Sequence, residues 1–361
     1  MQRVLLLFLL LFVLNRLDAQ VDTTVHKDYN VKIKVSAEWI EKVRHFDYSK
    51  SDKELITAFE GFIKPDTLFN PHAEHVAEDY GRVFDPLFAN LDGESDNELI
   101  CLLGWDVSSP YLCVFKEENG TWYLIYLENF DTFYGAPTLY VANNYSKYKT
   151  FYFRHVDDHG SDVFIDSYSF YKLIGNKVYH CLDLLNDAHI YGWGLYMNQS
   201  VTSSFEFNGD ESDGVLVDYN YDFFPGAIKA GDCSWCANAD IPIIKNEGSV
   251  SYEWNDTSMT YKLNIMSYEH GIDDLTADKI ACFGDFGDDT LFVRAFRGQI
   301  NEVLKTGTLQ QKQILTRYLA LVKKDKTATT EKLVVTTQSG GMTFYGVEKK
   351  KTSKKKKKKK K

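Results

Sequence analysis

Residues 111–127, YLCVFKEENGTWYLIYL, decide the fold class. Two runs rich in aromatic and aliphatic residues, Tyr111–Phe115 and Trp122–Leu127, flank the dipeptide Asn119-Gly120. An Asn-Gly pair accepts the positive φ angles of a tight hairpin turn. The stretch therefore predicts two antiparallel strands joined at this dipeptide.

Similar runs extend this pattern into a β-rich core. A second hairpin is predicted at 170–181, where Gly175-Asn176 separates two apolar runs. Aromatic residues make up 15% of the chain, which favours pleated, half-buried surfaces. We therefore expect a mainly β fold, with a propeller-like or sandwich core over residues 88–295. Further strands are predicted at 99–103, 215–223 and 261–266.

Helical patterns flank this core. The capping box Ser51-Asp52-Lys53-Glu54 opens a predicted helix over 51–63, and a shorter helix is predicted over 71–80, within a helical N-terminal segment, residues 20–87. Near the C-terminus, Gly307 ends a short helix and the capping box at 308–311 opens another. These helices and a terminal β-hairpin occupy residues 296–348. The tail, residues 349–361, is rich in lysine and predicted to be disordered.

Residues 1–19 have the form of a secretory signal peptide. Arg3 precedes an apolar run from Val4 to Leu14, which is too short to span a bilayer of about 30 Å. An uncleaved anchor is the alternative for this segment. No later segment approaches transmembrane length, so we expect a secreted, periplasmic or cell-surface protein without a transmembrane segment.

The formal charge of −10 is unevenly distributed along the chain, because the C-terminal tail carries eleven lysines between Lys349 and Lys361. The folded body is therefore more acidic than the total, and it would repel a phosphate backbone. This excludes nucleic acid as a partner of the folded body. The tail either binds an anionic surface or is an unselected run of lysines.

Six cysteines suit an oxidising compartment. Cys101 and Cys113 lie on neighbouring predicted strands and are candidates for a cross-strand disulfide, with buried free thiols as the alternative. Cys233 and Cys236 form a CxxC pair. Because Pro242 would soon end a helix after this pair, a loop held by disulfides is favoured over a redox motif. The remaining two are Cys181 and Cys282.

Residues 90–98, NLDGESDNE, carry the clearest chemical signal in the sequence. The apolar run 99–103 follows them directly. Ca²⁺ takes six to eight oxygen ligands in flexible geometry, which a turning loop of this kind can supply. A plain polar turn without metal is the alternative, because Asp, Asn, Gly and Ser dominate turns. The oxygen-bearing side chains at alternate positions are Asn90, Asp92, Glu94, Asp96 and Glu98.

This loop and the strand after it resemble the calcium loop of FG-GAP and VCBS-type repeats, which build β-propellers of the integrin α-subunit kind. The resemblance implies a structural Ca²⁺ held by side-chain oxygens of Asn90, Asp92, Glu94 and Glu98 and by the backbone carbonyl of Asp96. Three other acidic stretches resemble the same loop, and for these a plain turn is favoured. They are residues 157–162, 208–213 and 284–289.

Catalytic motifs are absent from the sequence, which contains no GxSxG, P-loop or GxGxxG pattern. The leading hypothesis is a secreted, non-enzymatic binding or structural protein with a structural Ca²⁺ and a protein or glycan ligand. The alternative is an extracytoplasmic, glycosidase-like hydrolase that uses paired carboxylates. Several aromatic residues suit either a carbohydrate platform or cross-strand packing: Trp105, Tyr111, Trp122, Tyr126 and the segment 191–193.

Overall fold

The structure is a computed structural model that describes residues 28–63, 81–132, 137–142, 146–160, 163–191, 197–208, 213–225, 242–264, 293, 296–328, 334–335 and 345–346. Its strands form two large antiparallel sheets, with two helices between the first and second strands in the sequence and two more after the last strand of these sheets. The prediction of a mainly β protein is therefore confirmed. Among the described residues, no helix is both long enough and apolar enough to cross a membrane.

The first sheet has five strands in the order β1-β5-β4-β3-β2. The predicted hairpin forms its β4–β5 pair, and Asn119 and Gly120 adopt φ angles of 53° and 77° in the turn. The strands are β1 (Asn30–Val35), β2 (Val83–Ala89), β3 (Glu98–Gly104), β4 (Tyr111–Glu118) and β5 (Thr121–Asn129).

The second sheet has eight strands that follow one another in space as they do in the sequence, from β6 to β13. The predicted turn at Gly175-Asn176 joins β8 to β9, and Gly175 has a φ of 62°. The strands are β6 (Leu139–Val141), β7 (Thr150–Gly160), β8 (Val163–Ile174), β9 (Lys177–Ile190), β10 (Met197–Phe207), β11 (Gly214–Pro225), β12 (Ile244–Asn255) and β13 (Thr260–Leu263).

Four helices complete the description, together with a short hairpin near the C-terminus. The predicted capping box at Thr308 is confirmed, because its hydroxyl accepts from the Gln311 backbone N–H and the Gln311 side chain accepts from the Thr308 N–H. The helices are α1 (Ala37–Arg44), α2 (Lys53–Ile63), α3 (Arg297–Thr306) and α4 (Leu309–Ala328), and the hairpin pairs β14 (Val334–Val335) with β15 (Tyr345–Gly346).

Strand β3 explains why the two sheets stack. Its sequence is almost continuously apolar and every residue in it is buried, which requires cover on both faces. Leu99 and Cys101 pack with α1 and α2, whereas Ile100 and Leu102 pack against the eight-stranded sheet. The five-stranded sheet is thus the middle layer between the helices and the larger sheet.

The eight-stranded sheet bends at β10. This strand pairs with β9 only from Gln199 to Thr202, and beyond that point it pairs with β11 alone. The later strands and helices then close over the earlier ones, so that Phe170, Val217, Tyr252 and Leu315 share one apolar core.

Several predicted elements differ in the structure. The N-terminal segment 20–87 contains two helices, but Asn30–Val35 pairs with β5 as an edge strand, and β2 starts at Val83. Residues 157–160 belong to β7, so the acidic stretch there is the end of a strand that pairs with β8. The predicted signal peptide, the helix at 71–80, Cys233, Cys236, Cys282, the acidic stretch at 284–289 and the lysine tail lie outside the described residues.

Candidate functional sites

The acidic loop, defined as residues 90–98, connects β2 to β3 and folds through its own side chains. The side-chain oxygen of Asn90 accepts from the Gly93 N–H at 2.8 Å, and Asp92 accepts from the Glu94 N–H at 2.9 Å. Gly93 has a φ of +76°, a conformation that glycine adopts without steric cost. The loop is therefore shaped by short side-chain-to-backbone hydrogen bonds.

Glu98 closes this loop from the first position of β3. Its carboxylate accepts from the Leu91 N–H at 2.8 Å, and the residue is 2% exposed. Burial raises the pKa of Glu98 and the nearby Asp92 charge adds to this, while the hydrogen bond from Leu91 opposes it. The carboxylate thus satisfies a buried backbone donor at the closure of the loop.

Lys116 brings a positive charge into the acidic loop from β4. Its ammonium forms an ion pair with Asp92 and lies 3.2 Å from a carboxylate oxygen of Glu94. Only 7% of the Lys116 side chain is exposed, which by itself lowers the pKa of the ammonium. The two carboxylates outweigh burial, so the pKa of Lys116 is raised overall.

Of the five residues predicted to hold Ca²⁺, the structure brings Asp92 and Glu94 together around the Lys116 ammonium. Asn90 shapes the turn, Glu98 contacts the loop backbone, and Asp96 is exposed. Within the described part of the chain, which includes this whole loop, no group of three or more His, Cys, Asp or Glu side chains converges as a metal site. Calcium binding stays a prediction.

A second buried lysine, Lys172, forms a similar pair with Asp213 at the end of the 208–213 stretch. Lys172 projects from β8 and its side chain is 0% exposed. Asp213 also accepts hydrogen bonds from the Ser146 hydroxyl at 2.7 Å and the Tyr261 hydroxyl at 2.9 Å. This carboxylate therefore ties β8 and β13 to the start of β11.

Aromatic rings complete the surroundings of Lys172. Its ammonium lies 4.5 Å from the ring centre of Trp254 and 5.2 Å from that of Tyr261. Burial lowers the pKa of Lys172, and the single carboxylate of Asp213 does not offset it. The side chain is closed to solvent, so a substrate has no access to its amine.

A polar cluster lies on the face of β7–β9 that packs against the first sheet. This face is apolar at Phe151, Phe153 and Tyr171 and becomes polar further along the same strands. Polar side chains are costly in such a position unless they are hydrogen-bonded to one another. We call this group the junction cluster; its members are His155, Asp157, Ser167, Ser169, His180 and Asp183.

Three members of the junction cluster are spaced like a serine–histidine–aspartate triad. The Nε2 atom of His155 lies 2.9 Å from the Ser169 hydroxyl, and its Nδ1 atom lies 3.1 Å from Asp157. The Ser169 hydroxyl, however, donates to Asp183 at 2.7 Å. Since a hydroxyl has one proton, Nε2 of His155 must then be the donor to Ser169. The histidine is therefore not placed to activate this serine as a nucleophile.

His180 stabilises the charge of Asp183 in the same cluster. Its Nε2 atom lies 2.8 Å from the carboxylate. Burial tends to raise the pKa of Asp183, but His180 and the hydrogen bond from the Ser169 hydroxyl lower it by more than this. The net shift of the Asp183 pKa is therefore downward. Burial tends to lower the pKa of His180, and Asp183 reverses this, so the net shift is upward. Each group thus favours the charged form of the other.

Glu128 places a further carboxylate beside this cluster. It accepts from the Tyr126 hydroxyl at 2.7 Å and from the Tyr171 hydroxyl at 3.0 Å. Burial raises the pKa of both tyrosines, and the Glu128 charge adds to the effect. Glu128 and Asp183 both act on Tyr171, so they are candidates for the paired carboxylates of the hydrolase hypothesis.

A group of partly exposed tyrosines lies on the opposite face of the same sheet. Tyr140 on the edge strand β6 is directly opposite Tyr152, and Tyr152 is directly opposite Phe170. Both ring pairs are stacked, with centroids 5.2 Å apart and an interplanar angle of 21°. Tyr140 is 44% exposed, which is unusual for a ring of this size.

Tyr168 and Arg154 extend this group along the strands, where they lie directly opposite each other. Arg154 donates from Nε to both oxygens of the buried Asp166, at 2.9 and 2.7 Å. Burial raises the pKa of Tyr168, Arg154 opposes this, and Asp166 and Tyr140 add to the increase. The Tyr140 and Tyr168 hydroxyls are therefore close enough to interact electrostatically. We call Tyr140, Tyr152, Tyr168 and Arg154 the tyrosine patch.

The aromatic residues predicted as a possible carbohydrate platform are placed differently. Trp105, Tyr111, Trp122 and Tyr126 are at most 6% exposed, because they pack in the cores on either side of the first sheet. These four residues therefore belong to the core and form no exposed platform, and Gly192 and Trp193 of the predicted set lie outside the described residues. Tyr191 is half-buried and stacks on His189.

The structure places Cys101 and Cys113 directly opposite each other on β3 and β4. Both are free thiols in the core, as is Cys181. Burial raises the pKa of the Cys101 and Cys113 thiols well above the ordinary value. The cross-strand position confirms the predicted neighbourhood of the two residues, and the disulfide itself stays a prediction.

The sequence motifs did not predict the two buried lysines, but the alternation of inward-facing and outward-facing side chains along β4 and β8 could have. Lys116 lies two residues after Val114 and four after Leu112, both of which face the second sheet. Lys172 lies two residues after Phe170, which faces the other core. A lysine at such an inward position requires a buried counter-charge.

Comparison of the chain with protein-family models, curated proteins and solved structures finds no match. The function is therefore argued from the geometry of these sites.

Proposed function

We propose that this chain is an exported, non-enzymatic binding protein whose ligand is a glycan, bound at the tyrosine patch. The observation that carries the proposal is the exposed ring of Tyr140, whose centroid lies 5.2 Å from that of the stacked Tyr152 ring at the edge of the eight-stranded sheet. Tyrosine combines a large apolar face with a polar tip, so it is enriched at recognition surfaces. Sites on strands are also held more precisely than sites on loops.

The polar groups of the patch favour a glycan over a protein ligand. A sugar presents an apolar C–H face beside several hydroxyls, and the patch offers flat rings beside phenol hydroxyls and a guanidinium. The Arg154 charge is balanced by the buried Asp166, which makes the patch close to neutral. An uncharged glycan would then meet little repulsion from an otherwise acidic chain, whereas a polyanionic one would be repelled.

Export and architecture complete the proposal. The signal-like segment 1–19 supports export, and a neutral glycan is a ligand met outside the cytoplasm. A five-stranded and an eight-stranded sheet stacked face to face are larger than the four-stranded blade of a propeller. We therefore favour the sandwich-like over the propeller-like architecture.

The test is binding of the full chain to a panel of neutral and anionic glycans. Tyr140→Ala is expected to weaken binding at least about tenfold, because central tyrosines often carry most of the affinity. Tyr48→Ala is the matched control, since Tyr48 is 68% exposed but lies near α1, far from the patch in the sequence. Binding only to proteins, or glycan binding that Tyr140→Ala leaves unchanged, would reject the proposal.

A hydrolase at the junction cluster is the second candidate function. The carboxylates of Glu128 and Asp183, which both act on Tyr171, favour it. Because the Ser169 proton is directed to Asp183, we expect no adduct at Ser169 after treatment with a fluorophosphonate probe. Turnover of glycosides that Asp183→Asn or Glu128→Gln abolishes would replace the binding proposal with the hydrolase.

The cysteines provide a test of export. In an oxidising compartment, we expect Cys101 and Cys113 to form a disulfide, because they are directly opposed on paired strands. Mass spectrometry of the exported protein under non-reducing conditions should recover the two peptides linked, and Cys113→Ser should abolish the link. Alkylation of both Cys101 and Cys113 in the unfolded exported protein would argue against this disulfide.

A further inference from the structure

The contacts of the Lys116 ammonium are those of a bound hard cation. Its neighbours are a carboxylate oxygen of Asp92, one of Glu94 at 3.2 Å, and the backbone carbonyl of Gly175 at 3.4 Å. These oxygens come from the acidic loop and from the β8–β9 turn. Carboxylates and carbonyls of this kind are also the ligands that Ca²⁺ prefers in proteins.

The charge balance of the loop agrees with this comparison. Asp92 and Glu98 are each 2% exposed, whereas the Glu94 side chain is 67% exposed. Taking carboxylates out of water is costly unless a positive charge accompanies them. Lys116 is the cation that the structure places there, and its side chain is 7% exposed.

We infer that the acidic loop is a cation site whose occupant is the chain's own Lys116 ammonium, and that removal of this ammonium makes the loop bind free Ca²⁺. The native loop then has no need of a metal ion, although its sequence has the form of a calcium loop. This inference is independent of the tyrosine patch and of the glycan proposal.

The test is a thermal melt of the full chain in Ca²⁺ and in chelator. Wild type is expected to melt at the same temperature in both, whereas Lys116→Met should melt at least about 5 °C higher in Ca²⁺. Lys172→Met is the matched control, because within the part of the chain that the structure describes Asp213 alone forms an ion pair with that ammonium. It should show no response to Ca²⁺.

Two further measurements keep the test decisive if Lys116→Met does not fold in chelator. Circular dichroism should then show that Ca²⁺ restores its β signal, and Lys116→Met combined with Asp92→Asn should fold without Ca²⁺. A clear rise of the wild-type melting temperature in Ca²⁺ would overturn the inference. The inference would also be overturned if Lys116→Met melted at the same temperature in Ca²⁺ and in chelator. It would likewise be overturned if Lys116→Met stayed unfolded in Ca²⁺ while the double variant folded.

Discussion

The two buried lysine–aspartate pairs have the same chemistry but opposite electrostatic outcomes. Lys116 and Lys172 both project from central strands, and each forms an ion pair with an aspartate that lies outside those strands in an acidic stretch of the sequence. The pKa of Lys116 is raised, whereas the pKa of Lys172 is lowered. Burial acts in the same direction on both, so another difference must decide the sign.

The number of carboxylates and the depth of burial make this difference. Lys116 has Asp92 and Glu94 beside it, and it lies near the surface of the loop. Lys172 has Asp213 and two aromatic rings, and its side chain is 0% exposed. A second carboxylate thus turns a tolerated buried charge into a stabilised one, which is why we assign the cation site to the first loop alone.

The largest expected effect is at the deeper pair. Asp213→Ala leaves Lys172 without a carboxylate and also removes the acceptor for Ser146 and Tyr261, so we expect a loss of about 3–5 kcal/mol in the free energy of unfolding. Urea denaturation measures it, with the exposed Asp218→Ala as the control at about 0.5 kcal/mol or less. A loss below about 1 kcal/mol would mean that Lys172 does not depend on this partner.

When the lysines are replaced instead of the aspartate, we expect the larger loss in unfolding free energy at Lys116 and the smaller one at Lys172. Lys116→Met leaves Asp92 2% exposed without its cation, and we expect a loss of about 2–4 kcal/mol in chelator. Lys172→Met leaves Asp213, which is 21% exposed and keeps two hydroxyl donors, so a loss of about 1 kcal/mol or less is expected. Equal losses in urea denaturation would show that exposure of the aspartate does not decide the effect.

Local sequence rules predicted much of the fold because they act over a few residues. The Asn119-Gly120 turn, the Gly175-Asn176 turn and the Thr308 capping box all form as expected, since each depends on backbone conformation within one turn. The edge strand Asn30–Val35 was not predicted. Its stability depends on pairing with β5, which lies about ninety residues later in the sequence.

The candidate sites were less predictable for the same reason. The acidic loop is visible as a motif, but its cation comes from β4, and the motif alone cannot distinguish Lys116 from a metal ion. The junction cluster joins residues of β7, β8 and β9, and the tyrosine patch joins β6, β7 and β8. Such groups depend on strand register, which spacing along one strand does not reveal.

The pH dependence of stability should differ in sign between the two lysines. The folded-state pKa of Lys172 lies below the ordinary value of 10.5, so its penalty to folding is relieved as pH rises through the folded pKa towards 10.5. The folded-state pKa of Lys116 lies above 10.5, so its contribution is complete below 10.5 and is lost as pH rises through the folded pKa. The test is to measure, in alkaline buffers of increasing pH, the difference in unfolding free energy between wild type and each Lys→Met variant. If this difference changes with pH in the same direction for both lysines, the prediction is wrong.

The smallest expected effect is at the partly exposed pair of His180 and Asp183. The pKa of His180 is raised above 6.5 and that of Asp183 is lowered below 3.8. The pair therefore stabilises the fold fully between these values, and the His180 part is lost as pH rises through its folded pKa. His180→Gln should cost about 0.2–1 kcal/mol near pH 5 and less near pH 8.5 in urea denaturation. A cost that grows with pH would contradict the assigned charges.

The claim that Lys116 is the cation of the acidic loop is tested most directly by a double-mutant cycle in chelator. The cycle compares wild type, Asp92→Asn, Lys116→Met and the double variant by urea denaturation. We expect a coupling free energy of about 2 kcal/mol or more, because each single change leaves a buried charge that the double change removes. A coupling free energy within about 0.3 kcal/mol of zero would show that the two side chains are neighbours without being each other's counter-charge.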